Sequence, residues 1–453
     1  MNLAETLNLG CLCRTLNPDR LRKQLETDPC LQGMLDGLAT THPHLFSETA
    51  VFVDPGMRAT LGQAIAAIER VVALPAYQQL ALAHAPETAQ HHFGPAGVFM
   101  GYDFHLGEDG PRLIEINTNA GGALLNAALA RAHRECCEPM QGLMDASSDL
   151  PHINQTFVDM FRAEWQAQRG TQALRSILIT DDAPEVQYMA PEFALARQLF
   201  LAHGITAAVG DARELQWKDG ALWHPALPGV AVDLVYNRLT DFSLSEPAHE
   251  ALRSAYVAGA AVVTPHPRAH ALFADKRNLI TLGDDALLAS WGVSAEDRRI
   301  LQAVVPHTEL VTADHADALW AKRRQLFFKP VAGYGAKAAY RGDKLTRGVW
   351  ADILAGGFIA QALVPPSERL VDVDGVATRL KLDIRAYTFR GQVQLLAART
   401  YTGQTTNFRT AGGGFSPVVV LPAMVLGVDA SPRPPHADCL PSSSLETPTW
   451  SPS

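Results

Sequence analysis

Hydrophobic and polar positions change period several times along this chain, and the changes divide it. Residues 1–170 open with helical patterns. In residues 62–72, soon after Pro55-Gly56, apolar side chains recur at every third or fourth position. Between Gly97 and Thr118 the period drops to two, which predicts strands. Residues 171–265 read as strand, helix, strand. Short apolar runs at 176–180, 205–209, 230–236 and 260–264 are strands, and 191–203 is one of the helices between them. Strands alternating with helices predict a parallel, doubly wound sheet. Residues 266–426 hold mostly hairpins with a few helices. The segment 427–453 is expected to be a disordered tail: from Ser431 onward it contains six Pro and six Ser and has no apolar periodicity. No internal repeat is visible.

Composition narrows the class. With 453 residues, 47% of them hydrophobic, the chain can bury large cores, and its length suggests two or three domains. A formal net charge of −9 argues against nucleic acid as a general partner, while leaving room for a local basic cleft. No apolar stretch reaches the roughly 18 residues that span a bilayer, so no membrane association is expected. The N-terminus lacks a basic region followed by an apolar run. Cysteines at 11, 13, 30, 136, 137 and 439 have no zinc-site spacing and read as thiols of a reducing, cytoplasmic compartment.

Three patches carry candidate chemistry. The first is a hairpin, 98–106 and 112–117, around Gly107–Pro111. Glu115 and Asn117 share a strand face, and antiparallel pairing sets Asp103 about opposite Glu115. Three hard oxygen ligands on one patch suit Mg²⁺ shared with nucleotide phosphates, although a solvent-facing hairpin would look the same. Gly121 and Gly122 then allow close backbone approach. The second patch is Lys329-Pro330 at a strand end, followed by a loop with Gly333 and Gly335. Its backbone N–H groups can cover phosphates beside the Lys329 charge, but the spacing is neither a Walker nor a dinucleotide motif, and an ordinary hairpin turn is the alternative. Upstream, Lys276 adds a cation at a helix start, where a solvated helix end is the simpler reading. The third patch places Lys381, Asp383, Arg385 and Tyr387 on one strand face. Asn407 and Arg409 follow, just before Gly412–Gly414. These groups could hold a triphosphate or an acyl phosphate, or could form an amphipathic surface strand and a flexible loop.

Together the patches resemble the ATP-grasp superfamily, in the circularly permuted arrangement of eukaryotic-type glutathione synthetase. In ordinary ATP-grasp ligases an Asp followed twelve positions later by Glu-x-Asn comes last. Asp103, Glu115 and Asn117 have that spacing yet precede the lysines, and residues 115–118 read Glu-Ile-Asn-Thr as in the glutathione synthetases. Tyr236-Asn237-Arg238, Lys276, Lys329-Pro330, the hinge-like 358–365 and Arg409-Thr410 follow in the family's order, so the resemblance covers roughly residues 90 to 420. There are departures. The family's metal-ligating Glu after Lys-Pro is replaced by Gly333, which leaves Asp103 as third ligand, and the Lys after its Arg-Thr is replaced by Ala411, so glutathione itself is not implied as product.

The resemblance implies an α/β protein with a permuted ATP-grasp domain, formed by 266–426 with the hairpin of 1–170, beside a doubly wound substrate-side domain. It implies ATP and Mg²⁺ as cofactors, with Asp103, Glu115 and Asn117 on the metal and Lys276, Lys329, Gly333, Gly335, Gln361 and Leu363 on the nucleotide. Arg385, Arg409 and Asn407 would stabilise the reacting groups, while Arg238, Asn119, Thr410 and Gly413 would contact substrate. The implied reaction joins a small carboxylate to an amine, such as an amino acid or short peptide, through an acyl phosphate; a homodimer is compatible with it. The alternatives are a non-catalytic nucleotide-binding or regulatory protein and a kinase of a small carboxylate.

Overall fold

The computed structural model describes residues 2–107, 109–133, 150–333 and 338–421. Gly335, Cys136, Cys137, Cys439 and the tail 427–453 lie outside the described residues.

The largest sheet among the described residues has seven strands. Its order is β1 (Val51–Val53), β17 (Gly414–Val420), β16 (Gln392–Tyr401), β15 (Val376–Phe389), β2 (Met100–Gly107) and β3 (Gly110–Asn117), with β14 (Ser367–Val373) also paired to β15. The expected early hairpin is therefore β2–β3, and it extends a sheet whose other long strands come from the far end of the chain. Alternation decides the two faces. Tyr102, Phe104, Ile384, Ala386 and Ala398 enter an apolar core against the helix Pro55–Val72. Asp103, Glu115, Asp383, Arg385 and Arg399 point to the other face. That helix starts on Asp54, whose side chain caps the N–H of Met57, with Pro55 at its first position where a missing N–H costs nothing.

A second antiparallel sheet has the order β10 (Thr308–Leu310), β13 (Phe358–Ala362), β11 (Leu326–Pro330) and β12 (Tyr340–Arg341). Phe328, Leu326 and Ala360 pack with Leu319, Trp350 and Ile353 from its covering helices. Since β11 buries Phe328, its neighbours Phe327 and Lys329 are turned toward the first sheet.

The third sheet is parallel, in the order β5 (Thr206–Asp211), β4 (Ser176–Asp181), β8 (Leu234–Asn237) and β9 (Val262–Thr264). Ile177 and Ile179 enter one core and Leu178 another. Both faces are covered, which is why these strands read as unbroken apolar runs. The expected helix is Ala190–Ala202. Among the described residues no single helix is long and apolar enough to cross a membrane; the pair Pro55–Val72 and Pro75–Leu82 reaches that apolar length only across a 77° bend.

Candidate active site

The seven-stranded sheet, antiparallel except for its β1–β17 edge, and the four-stranded antiparallel sheet line a common cleft of about 410 Å³. The hairpin register sets one wall. Asp103 lies opposite Glu115 and Gly101 opposite Asn117, with a bulge just after Asp103. Asn117 Nδ2 sits 3.1 Å from both Asp103 Oδ2 and Glu115 Oε1, so the three side chains form one patch. The amide oxygen and nitrogen are interchangeable by rotation about the last side-chain bond, and the same patch can thus present Oδ1.

Asp103 is engaged in a way its spacing did not reveal. Arg385 Nε and Nη2 donate to its two oxygens at 2.7 Å each, and Arg399 Nη2 donates to Oδ2 at 2.8 Å. With Asn117 added, Oδ2 accepts three bonds and only Oδ1 keeps a lone pair to offer. Burial by itself would raise the Asp103 carboxyl, but the two guanidiniums outweigh it and hold the group at about 2. Burial likewise opposes the charge on Arg399, yet Asp103 and Asp383 hold it firmly protonated. The ladder continues outward: Arg399 Nε donates to Asp383 Oδ1 at 2.7 Å, and Thr406 Oγ1 donates to Asp383 Oδ2 at 2.5 Å. Arg385, expected to meet an acyl phosphate, is instead buried on Asp103.

The opposite wall carries the lysines. Lys329 Nζ donates to the carbonyl of Ile114 at 2.8 Å and to Gln361 Oε1 at 2.7 Å. It therefore touches the residue preceding Glu115, although 215 positions separate the bonded residues. Burial, opposed by Glu115 and reinforced by Lys276, lowers its ammonium from the ordinary 10.5 to about 8. Lys276 Nζ donates to the carbonyl of Gly333 at 3.0 Å, which ties the second lysine to the Gly-rich turn. Gln361 is buried and its Nε2 has no partner among the described residues. Leu363 lines the cleft, but its N–H is taken by Gln325 at 2.8 Å. His105 spans toward this hinge, with Nδ1 2.9 Å from the carbonyl of Val364 and Nε2 3.5 Å from Tyr401 Oη. Burial lowers its imidazole below the ordinary 6.5, so the ring is neutral at pH 7.

The remaining expected residues divide. Arg238 and Asn119 meet: the guanidinium donates to Asn119 Oδ1, and Asn119 Nδ2 donates to the carbonyl of Leu239 at 3.1 Å. Both flank Gly121, whose carbonyl accepts from Tyr387 Oη at 2.7 Å. A Cβ on Gly121 would come 3.0 Å from Arg238 Nη2. Asn407 and Thr410 serve the loop itself. Asn407 Nδ2 donates to the carbonyl of Thr402 at 2.8 Å, Thr410 Oγ1 donates to Asn407 Oδ1 at 3.1 Å, and Thr410 Oγ1 accepts from the Thr402 N–H at 3.0 Å. Arg409 is exposed and does not line the cleft. Gly413 is buried where a Cβ would lie 2.6 Å from the carbonyl of Thr400, so close packing explains the glycine without a substrate. The reading along the sequence missed Arg399. A lone Arg opposite Asp383 on a neighbouring strand is visible only once the β15–β16 register is known.

The donor set fits a metal-bound nucleotide. Two lysines lie on one wall and a carboxylate and an amide on the other, with the Gln361 amide donor, unpartnered among the described residues, between hinge and lysine. A cleft between two largely antiparallel sheets with this donor set has the arrangement of the ATP-grasp fold. The chain has the glutathione-synthetase-like ATP-grasp fold, which it shares with a solved glutathione synthetase-like effector from Globodera pallida. That likeness has a TM-score of 0.52 at 13% identity and covers 89% of this chain and 98% of the other. A putative gamma-glutamylcysteine synthetase from Methylobacillus flagellatus is similar at a TM-score of 0.43 and 11% identity, covering 79% and 84%. A D-cycloserine synthetase follows at 0.28 and 20%, covering 55% and 93%. No protein-family model matches the chain, and none of the curated proteins matches it in sequence.

Proposed function

We propose that this protein is an ATP-dependent ligase that joins a carboxylate to an amine, with the circularly permuted order of the glutathione synthetases. The observation that carries the reading is the Lys329–Ile114 hydrogen bond. It brings a phosphate-type lysine beside a metal-type Glu-x-Asn strand drawn from the other end of the chain. ATP, when bound with Mg²⁺, supplies the phosphoryl group that activates the carboxylate. Lys329 and Lys276 hold negative charge at one wall, while Glu115 and Asn117 offer hard oxygens at the other. Asp103 acts chiefly as the carboxylate that orients Arg385 and Arg399 and keeps them charged. Arg399 lines the cleft between Asp103 and Asp383 and is placed to neutralise charge that develops on a transferring phosphoryl or an acyl group. Arg238 and Asn119, beside Gly121, receive the substrate. Positioning supplies most of the work, and an aligned free amine needs no dedicated base.

The test is ADP formation from MgATP with pairs of small acids and amines and, in separate reactions with hydroxylamine in place of the amine, hydroxamate formation from an activated acyl group. ADP that appears only with both an acid and an amine supports ligation. ADP formed with the acid alone, giving a stable acyl phosphate, supports the kinase alternative. Nucleotide binding without turnover over a wide set of pairs supports the regulatory one.

A further inference from the structure

Among the described residues three carboxylates line the cleft: Asp103, Glu115 and Asp383. How many metal ions it can take depends on which of their oxygens are open. Both oxygens of Asp383 are engaged, Oδ1 by Arg399 Nε at 2.7 Å and Oδ2 by Thr406 Oγ1 at 2.5 Å. Asp103 is engaged more heavily, since Arg385 donates to both its oxygens and Arg399 Nη2 adds a bond to Oδ2. Glu115 stands apart. Among the described residues it has no arginine partner, and Asn117 Nδ2 approaches its Oε1 at 3.1 Å. The turn after Lys329-Pro330 adds no carboxylate, because residues 331–337 read Val-Ala-Gly-Tyr-Gly-Ala-Lys, and the Gly333 carbonyl is taken by Lys276 Nζ.

One Mg²⁺ shared with phosphates needs only one or two protein oxygens, the rest of its shell being phosphate and water. Two ions clamping one phosphoryl group, about 4 Å apart, need carboxylate oxygen at both. Glu115 could supply that only by bridging, and Lys329 and Arg399 both lie within electrostatic reach of it. A second dication there would be repelled by both. Arg399 is also built into the wall. Two of its N–H groups are spent on Asp383 and Asp103, its Nη1 donates to none of the described residues, and its side chain keeps 13% exposure in the cleft. We propose that the cleft takes a single divalent ion, on Glu115 and Asn117, and that the Arg399 guanidinium stands where a second ion would need Asp103 and Asp383. The inference rests on the nucleotide site of the ligase reading. It also states what removal of Arg399 does: two carboxylates that share one guanidinium are freed together, which opens a place for a second ion.

The experiment is electron paramagnetic resonance of Mn²⁺, which takes the same hard oxygen ligands as Mg²⁺, on the full chain with a non-hydrolysable ATP analogue as the limiting component. Wild type should hold one Mn²⁺ per bound nucleotide, with the spectrum of an isolated ion. Arg399→Gln, which removes the charge, should hold two, and their spectrum should be spin-coupled because such a pair lies about 4 Å apart. Arg399→Lys, which keeps the charge, should stay at one. A cooperative melt and calorimetric binding of the analogue show that each variant is folded. A spin-coupled pair in wild type would overturn the proposal. So would a folded Arg399→Gln that still holds one ion, or an Arg399→Lys that holds two. If Arg399→Gln does not fold, wild type and Arg399→Lys decide, one isolated ion in each supporting the proposal and a coupled pair in either overturning it. A wild-type chain that binds no analogue would instead count against the ligase reading.

Discussion

Replacing Lys329 with Met separates a residue kept for ligand binding from one kept for stability. The buried ammonium is costly: its fall from 10.5 to about 8 corresponds to about 3 kcal/mol. Met removes that cost at similar volume. It also strands the Ile114 carbonyl and Gln361 Oε1, each worth about 1–2 kcal/mol when left buried. The two effects nearly cancel, so urea unfolding at pH 7 should place Lys329→Met within about 2 kcal/mol of wild type, while MgADP binding is lost. The pH arm fixes the sign. Between pH 8 and 10.5 the unfolded chain holds a proton on Lys329 that the folded chain has released, so stability contributed by this group rises with pH. Wild type should gain about 2 kcal/mol on the variant between pH 7 and 9.5, and groups common to both proteins cancel in the difference. A loss above about 4 kcal/mol at pH 7, or equal pH slopes for the two proteins, would show that the lysine is structural and not a desolvated ligand-binding cation.

Arg399→Ala should cost about 3–5 kcal/mol in the same unfolding assay, because Asp103 and Asp383 lose a buried partner; a cost below 1 kcal/mol would mean the ladder carries no stability. Gly122→Ala should lower the melting temperature clearly, since φ is +97° there and a Cβ would come 2.4 Å from Phe415 Cζ; an unchanged melting curve would refute the packing at this turn. Deleting residues 431–453, whose composition cannot offset ordering entropy, should leave turnover and melting temperature unchanged. A stability loss above about 1 kcal/mol would show that Trp450 or its neighbours dock.

The parts of the fold legible in the sequence are those where one side-chain period dominates. The β2–β3 hairpin was legible from its alternation around the turn, but counting back from that turn sets Asp103 against Ile114, and it is the bulge after Asp103 that brings Glu115 opposite it. The unbroken apolar strands of the parallel sheet announce two covered faces. β1 could not be read: Val51–Val53 is three residues long and finds its partner β17 more than 360 positions away. Within the site, residue types were legible and partners were not. Arg385 reads as a free cation until Asp103 is placed opposite it, and that depends on pairing between β2 and β15. Asn407 and Thr410 look like ligand contacts because polar side chains that brace their own loop have the same composition as those that bind.

The central claim is that Glu115 and Lys329 serve one metal–nucleotide site. Calorimetric titration of ADP into wild type and Glu115→Gln, each with and without Mg²⁺, tests it most directly. The account predicts that Mg²⁺ strengthens ADP binding to wild type, and that Glu115→Gln keeps the metal-free affinity but loses most of the gain. Glu115 is only half-buried, which leaves the fold intact in that variant. An ADP affinity indifferent to Mg²⁺ in wild type, or an equal gain in Glu115→Gln, would contradict it.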